Sequence, residues 1–278
     1  MTELTASPRL AGIRLHPIKA LDPVNVTEAR IGPNGGLELD RVWALYSVDG
    51  KWINGKRAPA IHHIRAEYAP DISSVALSAP TDRRKIKTAK FAFPQDTDAA
   101  AKWFSAYFDQ TVLVRYAREG QPDDGLAPGP TIVSTASLQA ICEWFPGVSL
   151  NEARERFRAT LEIDLDPARV ALGEKLPAFW EDQLFGPDEN YIVRFKIGDV
   201  AFEGSNPCAR CPVPPRNPRT GEDWIGFSKL FSELRRATLP PWSPAERFDH
   251  FYRLSTNTRV PGTEQGKLLR VGDPITLE

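Results

Sequence analysis

Proline constrains this chain more than any other residue type. There are 25 in 278 residues, about twice the usual ~5% share. Each fixes φ and removes a backbone donor, which works against long helices. The sequence therefore favours a β-rich body with many ordered connections over a helical bundle. The densest run lies between Phe202 and Trp224 (FEGSNPCARCPVPPRNPRTGEDW). There Pro207, Pro212, Pro214, Pro215 and Pro218 surround Cys208, Arg210 and Cys211, two of the chain's three cysteines among them. A stretch this stiff is expected to be a loop, neither helix nor continuous strand, that presents a sulfur.

Period-2 alternation predicts strands over Arg9 to Ile18, Val24 to Ile31 and Val42 to Val48, the last turning at Asp49-Gly50 into Lys51 to Asn54. Ile64 to Tyr68, Val75 to Ser78 and Lys90 to Phe93 read as further short strands. The period then changes. Thr97 or Asp98 can cap a helix in which Ala100, Trp103, Phe104, Tyr107 and Phe108 form one apolar stripe. Thr111 to Tyr116 returns to strand. Arg118 to Pro130 (REGQPDDGLAPGP) is polar and aperiodic, and we place a domain boundary there, giving regions 1–120 and 121–278.

Beyond it, Thr131 to Val133 reads as a buried strand. Ser134, Thr135 or Ser137 can cap a helix through Phe145, and Ser149 with Glu152 makes a capping box. Leu161 to Ile163, Tyr191 to Ile197, Asp199 to Glu203, Phe251 to Ser255 and Leu268 to Leu277 read as strands, with a helix over Phe227 to Ala237. Many short strands with a few helices in each half predict an α+β fold of two packed, barrel-like β-rich domains.

Lys and Arg total 35 against 36 Asp and Glu, so net charge gives no support for a polyanion partner, and no nucleic acid is expected. The N-terminus lacks a basic-then-apolar signal pattern, and no apolar run approaches the ~18 residues of a membrane span. Reduced thiols and a cytoplasmic location are the expectation.

The Cys208-Ala-Arg-Cys211 segment admits several chemistries. Structural zinc needs two more ligands, and Cys142, His16, His62, His63 and His250 show no paired zinc spacing. A thioredoxin-like dithiol needs the first cysteine at a helix N-terminus, which the following prolines oppose. A redox metal centre with one protein thiolate suits a soft sulfur beside Arg210, the guanidinium helping to hold Cys211 as thiolate. Two small buried residues in a tight turn remain the plain alternative.

The same residues resemble the molybdenum cofactor sulfurase C-terminal (MOSC) family. Ala209-Arg210-Cys211 and Pro218-Arg219-Thr220-Gly221 resemble its cofactor loop. Arg156-Phe157-Arg158-Ala159-Thr160 resembles its Arg-Phe-Arg-Pro-Asn element, and Trp180-Glu181-Asp182 its Trp-Glu-Asp. His16-Pro17-Ile18-Lys19 and Gly36 to Trp43 (GLELDRVW) resemble motifs of its N-terminal β-barrel domain. Val271-Gly272-Asp273-Pro274 matches at the end. The resemblance covers nearly the whole chain in order. It implies an N-terminal MOSC-type β-barrel followed by a MOSC β-barrel with a few helices.

The resemblance points to the branch that contains the mitochondrial amidoxime-reducing component and its bacterial relatives. It implies a molybdenum cofactor (molybdenum on a pterin dithiolene) ligated by Cys211, with Arg210 beside it at the catalytic centre. Lys19, Arg41 and Arg158 are implied to hold the pterin and its phosphate, with the hydroxyl of Ser134 nearby. An anionic, phosphorylated cofactor does want guanidinium forks and ammonium donors at several points. A pyridoxal phosphate association attaches to the family only at the family level. Ala20, Ala159-Thr160 and Ala209 depart from the pattern, each altering a potential hydrogen bond of ~0.5–1.5 kcal/mol. The proline tract after Cys211 also differs.

The activity implied is reduction of a small N-hydroxylated or related N–O or S–O substrate. The sequence has no four-cysteine cluster motif, no haem motif and no dinucleotide fingerprint. Electrons are then expected from a separate ferredoxin-like or cytochrome b5-like carrier. The alternative is a protein that carries the cofactor, or persulfide sulfur on Cys211, without turnover of its own. A third reading is a catalytically empty scaffold.

Overall fold

A computed structural model describes residues 8–80 and 86–278. Alternation produces strand β1 (Arg9–Leu15), which buries Leu10, Ile13 and Leu15. The second predicted strand divides at Thr27 into β2 (Val24–Val26) and β3 (Glu28–Arg30). Next come β4 (Trp43–Ser47), β5 (Arg65–Tyr68), β6 (Ser74–Ser78) and β7 (Ala89–Ala92). Helix α1 (Thr97–Phe108) and β8 (Val112–Tyr116) follow. The hairpin after β4 forms only a short return, with Ile53 N donating to Leu45 O. The ladder partner of β4 is β8, antiparallel from Trp43↔Tyr116 to Ser47↔Val112.

The stripe of α1 buries Ala100, Trp103, Phe104 and Tyr107 as the period requires. Its cap differs from expectation. The residue before the helix is Asp96, whose carboxylate accepts from Ala92 N at 2.8 Å and so ties the helix to β7 instead of satisfying its first turn.

The second half opens with β9 (Ile132–Ser134), α2 (Thr135–Trp144), α3 (Leu150–Phe157), β10 (Leu161–Asp164) and α4 (Pro167–Ala171). It continues through β11 (Val193–Ile197), β12 (Val200–Ala209) and α5 (Phe227–Ala237). β13 (Arg253–Arg259), β14 (Leu268–Arg270) and β15 (Ile275–Leu277) close the chain. Ser134 Oγ caps α2 by accepting from Ser137 N, and Ser149 Oγ caps α3 by accepting from Glu152 N. The reciprocal half of the second box is missing because the Glu152 carboxylate pairs with Arg156 one turn on.

The fold is α+β. One eight-stranded sheet runs β15-β11-β12-β13-β9-β10-β1-β2, with β9 and β10 parallel and its other pairs antiparallel. It takes β1 and β2 from before the Arg118–Pro130 segment and its other strands from after it. β3 likewise pairs with β14. One apolar core lies under the large sheet, a second among β4–β8 and α1, and a third among α2, α3 and α5.

The structure corrects one expectation directly. The proline-rich stretch is not all loop, because β12 runs as far as Ala209 and includes Pro207 and Cys208. The register against β13 shifts at Gly204/Asn206 and again at Pro207/Ala209. A residue without an N–H is tolerated at such a bulge. The Pro207 carbonyl still accepts from Arg253 Nη1 at 2.7 Å. Among the described residues, no helix is long and apolar enough to cross a membrane.

Candidate functional site

The cysteine loop is held at both ends. Where β12 finishes, Arg210 N donates to Tyr252 O at 3.0 Å. Beyond it, Arg156 on α3 donates through Nη1 to Pro214 O at 2.7 Å and Arg216 O at 2.9 Å. Its other edge forks onto Glu152 at 2.9 and 2.6 Å. A proline-rich stretch has few backbone N–H donors to pair its own carbonyls, so a many-donor guanidinium can hold two of them at once. Gly221 closes the loop at φ +71°, and a Cβ there would stand 2.7 Å from Pro59 O. Both the backbone conformation and the close approach require glycine.

Lys19, Arg41, Arg158, Arg210 and Cys211 come together around one cavity of about 460 Å³. Three wall residues, Ala20, Arg41 and Arg158, have φ of 73°, 53° and 53°. This left-handed region costs roughly 1–2 kcal/mol for residues with a Cβ. The surrounding backbone enforces it: Lys19 N donates to Trp43 O, Arg41 N to His16 O and Arg158 N to Arg154 O. For Arg158 the reversal is the C-cap of α3, which turns its guanidinium out of the helix line.

The cations differ in how far they are already satisfied. Lys19, 5% exposed, donates to Gln121 O at 2.7 Å, pairs with Asp123 at 3.0 Å and lies 3.7 Å above the Trp52 ring. Burial lowers its pKa, and Asp123 opposes that shift. Asp123 itself is pushed up by burial and down by Lys19 and Arg41, and ends below the usual carboxylate range. Arg41 binds Asp40, Thr160 Oγ1 at 3.2 Å and Arg158 O at 3.4 Å. Arg158 gives Nη2 to Leu21 O at 2.7 Å. Burial, and then Arg41, pushes its pKa down to about 10, so it is charged at neutral pH.

Two histidines stay neutral beside this charge. His16 is buried, and burial followed by Arg158, Arg41 and Arg14 holds its pKa well below the usual value. His62 lines the same cavity and is pushed down to about 4 by burial, then by Arg158, Arg216 and Arg65. Among the described residues, His62 Nε2 and Arg210 Nε are buried without a hydrogen-bond partner.

The sequence-predicted residues divide as follows. Lys19, Arg41, Arg158, Arg210 and Cys211 line the cavity. Ser134 does not: it is fully buried and capping α2, its hydroxyl 2.7 Å from Ser137 Oγ. Arg210 also departs from its expected contact. Its Nη1 donates to Cys208 Sγ at 3.2 Å and its Nη2 to Phe157 O, so the guanidinium touches the other cysteine rather than Cys211. Cys208 lines the cavity as well. Among the described residues, no group of three or more His, Cys, Asp or Glu is placed to hold a metal by itself.

Sequence reasoning missed Arg156, Gln121, Asp123 and His62. Arg156 stands two residues before Arg158 in the quoted motif, and only its partners separate the two. Gln121 and Asp123 belong to the aperiodic 118–130 segment, which forms a wall of the cavity instead of a bare linker.

Residues 7–111 match the family described as MOSC N-terminal beta barrel domain. Among solved structures, the YUAD protein from Bacillus subtilis is similar at 10% identity, covering 98% of this chain and 95% of that one. Its TM-score of 0.36 is too low to carry an argument. No curated protein matches the chain.

Proposed function

From the premise that residues 7–111 belong to the MOSC N-terminal beta barrel family, we propose that this protein is a molybdenum-cofactor-dependent oxidoreductase. Its substrates are N-hydroxylated compounds or related N–O or S–O compounds, of the amidoxime-reducing type. Its electrons come from a separate ferredoxin-like or cytochrome b5-like carrier. The observation that carries this reading is the convergence of Lys19, Arg41, Arg158, Arg210 and Cys211, distant in sequence, on one cavity.

The donor set fits the group. Its soft sulfurs are cysteine thiols rather than a closed protein ligand cage, and the other contributions are cationic forks and amides. That suits a metal that brings its own sulfur ligands on an anionic carrier. His62 Nε2, partnerless among the described residues and on the wall of this cavity, is a polar atom for which such a group supplies a partner.

Cys211 would ligate the metal, and Lys19, Arg41 and Arg158 would hold the pterin and its phosphate. When bound, the cofactor supplies two-electron oxygen-atom chemistry. The chain's own part is to bind, orient and stay put. Arg156 fixes the loop that carries Cys211. Asp40 and Asp123 hold Arg41 and Lys19 in place before any ligand arrives. Neutral His16 and His62 add no further positive charge to the arginine cluster.

Protein from a host able to make the cofactor is expected to contain molybdenum and extractable pterin, and to reduce benzamidoxime with an artificial electron donor. Cys211→Ser is expected to lose the metal. A well-folded sample with neither molybdenum nor pterin would sink the proposal.

A further inference from the structure

Cys211 and Arg210 line a second hollow as well as the first. It measures about 480 Å³, and its apolar wall includes Pro212, Pro215, Trp224, Ile225 and Phe227. Trp224 is anchored: its N donates to Pro215 O at 2.9 Å, and its ring meets Phe145 edge-on at 5.4 Å. Yet Trp224 is 38% exposed, and Ile225 beside it is 95% exposed. A rigid aromatic left open beside a bare aliphatic side chain is surface that a flat molecule can cover.

The polar groups around this wall are mostly donors. Arg210, Arg216 and Lys229 face a single acid, Asp223. The Asp223 carboxylate stands 3.9 Å from Arg216 Nε, which makes no hydrogen bond. Among the described residues, Arg210 Nε is also without a hydrogen-bond partner. Three cations against one acid leave this lining with a positive surplus of its own. A ligand that complements it brings a flat apolar body and negatively charged, hydrogen-bond-accepting oxygen.

We propose that this second hollow binds a small aromatic oxyacid, its ring against Trp224 and its oxygens toward Arg216 and Arg210. Resting on the oxidoreductase reading above, the hollow is the substrate side of Cys211 and favours flat, anionic substrates.

The test uses full-length protein prepared without the cofactor, with benzoate as probe and affinity read by titration calorimetry. Benzoate is expected to bind, and Trp224→Ala to weaken it about tenfold. Ile225→Asp, at a site too exposed to matter for folding, is expected to weaken it at least as much, because a carboxylate then faces a carboxylate. Lys19→Met, in the other hollow, is expected to leave it within twofold. Benzylamine, with the same ring and opposite charge, and cyclohexanecarboxylate, with the same charge and no flat ring, are expected to bind at least tenfold more weakly. The proposal falls if Trp224→Ala and Ile225→Asp both leave benzoate affinity unchanged, if Lys19→Met abolishes it, or if either analogue equals benzoate. Failure of the oxidoreductase reading would show separately, as missing molybdenum in cofactor-competent protein whose benzoate binding is intact.

Discussion

Two sets of buried or half-buried cations occupy this molecule and behave differently. At the cavity wall, Lys19, Arg41 and Arg158 are held by some partners while also facing open space. Under α5, Arg235 is 1% exposed and binds Asp182, which also accepts from Ser243. The Arg235 guanidinium is stacked 3.8 Å from the Phe179 ring centre and 4.9 Å from that of Phe248. Glu181 next to Asp182 accepts from Ser137 at 2.9 Å. This second cluster lines none of the hollows around the cysteine loop. The acid that holds Arg235 falls on a motif of the same resemblance as the cavity residues do, yet one group borders a site and the other braces a core. What separates them is enclosure: Arg235 is shut in among Asp182, Phe179 and Phe248, whereas the cavity cations keep an open side.

The sharpest way to break this comparison is Arg235→Ala. It leaves Asp182 buried without its cation and is expected to destabilise the fold by about 3–5 kcal/mol, measured by urea unfolding. Arg156→Ala is next. It strips the Pro214 and Arg216 carbonyls of their donor, at about 2–3 kcal/mol. It should also speed amide exchange across residues 213–217 and reduce molybdenum retention. A result near zero for Arg235→Ala would erase its contrast with the cavity cations, and one near zero for Arg156→Ala would mean that the loop is held without it.

Glu181 supplies a pH test. Burial, and then Asp182, pushes its carboxyl up to about 7, above the ~4.3 of an unfolded glutamate. Between those values the folded state binds the extra proton. Its contribution is therefore complete below the unfolded pKa and is lost as pH rises through about 7. The slope reaches at most about 1.4 kcal/mol per pH unit. Glu181→Gln should flatten the stability profile between pH 5 and pH 7, as checked by unfolding at several pH values. An unchanged slope would mean that the carboxyl is solvated.

The smallest stability effect is expected at the cavity. Lys19→Met breaks a pair whose acid, Asp123, has a 61% exposed side chain, and removes one donor from the Gln121 carbonyl, so the change should stay within about 1–2 kcal/mol. Molybdenum content is expected to fall several-fold by metal analysis. A loss as large as that of Arg235→Ala would erase the distinction between the two sets.

Much of this was legible in the sequence because it is local. The α1 stripe and the Ser134 and Ser149 caps follow from spacing and backbone chemistry alone. The grouping of Lys19, Arg41, Arg158 and Cys211 was also readable, through ordered motifs. What depends on a distant partner was not legible in this way. For Ser134 the resemblance implied a hydroxyl near the cofactor, while the hydroxyl stands at the helix cap that local spacing offered. The loop read from prolines alone begins later than expected, because β13 supplies a ladder that carries β12 past Pro207. Arg210 divides its guanidinium between Cys208 and the Phe157 carbonyl, 53 residues away in sequence.

The sequence by itself determined that this chain is proline-broken, α+β and β-rich, with one stiff loop offering sulfur and a guanidinium. It determined these things because φ restriction, hydrophobic period and cap chemistry act within a few residues. Only the tertiary structure decided which cations keep an open side, that the 118–130 segment forms a cavity wall, and that Cys211 faces a second hollow beside Trp224. Those outcomes depend on pairings across a hundred residues or more, such as Lys19 with Gln121 and Arg158 with Leu21. A side chain's surplus donors are defined only after its distant partners have taken theirs.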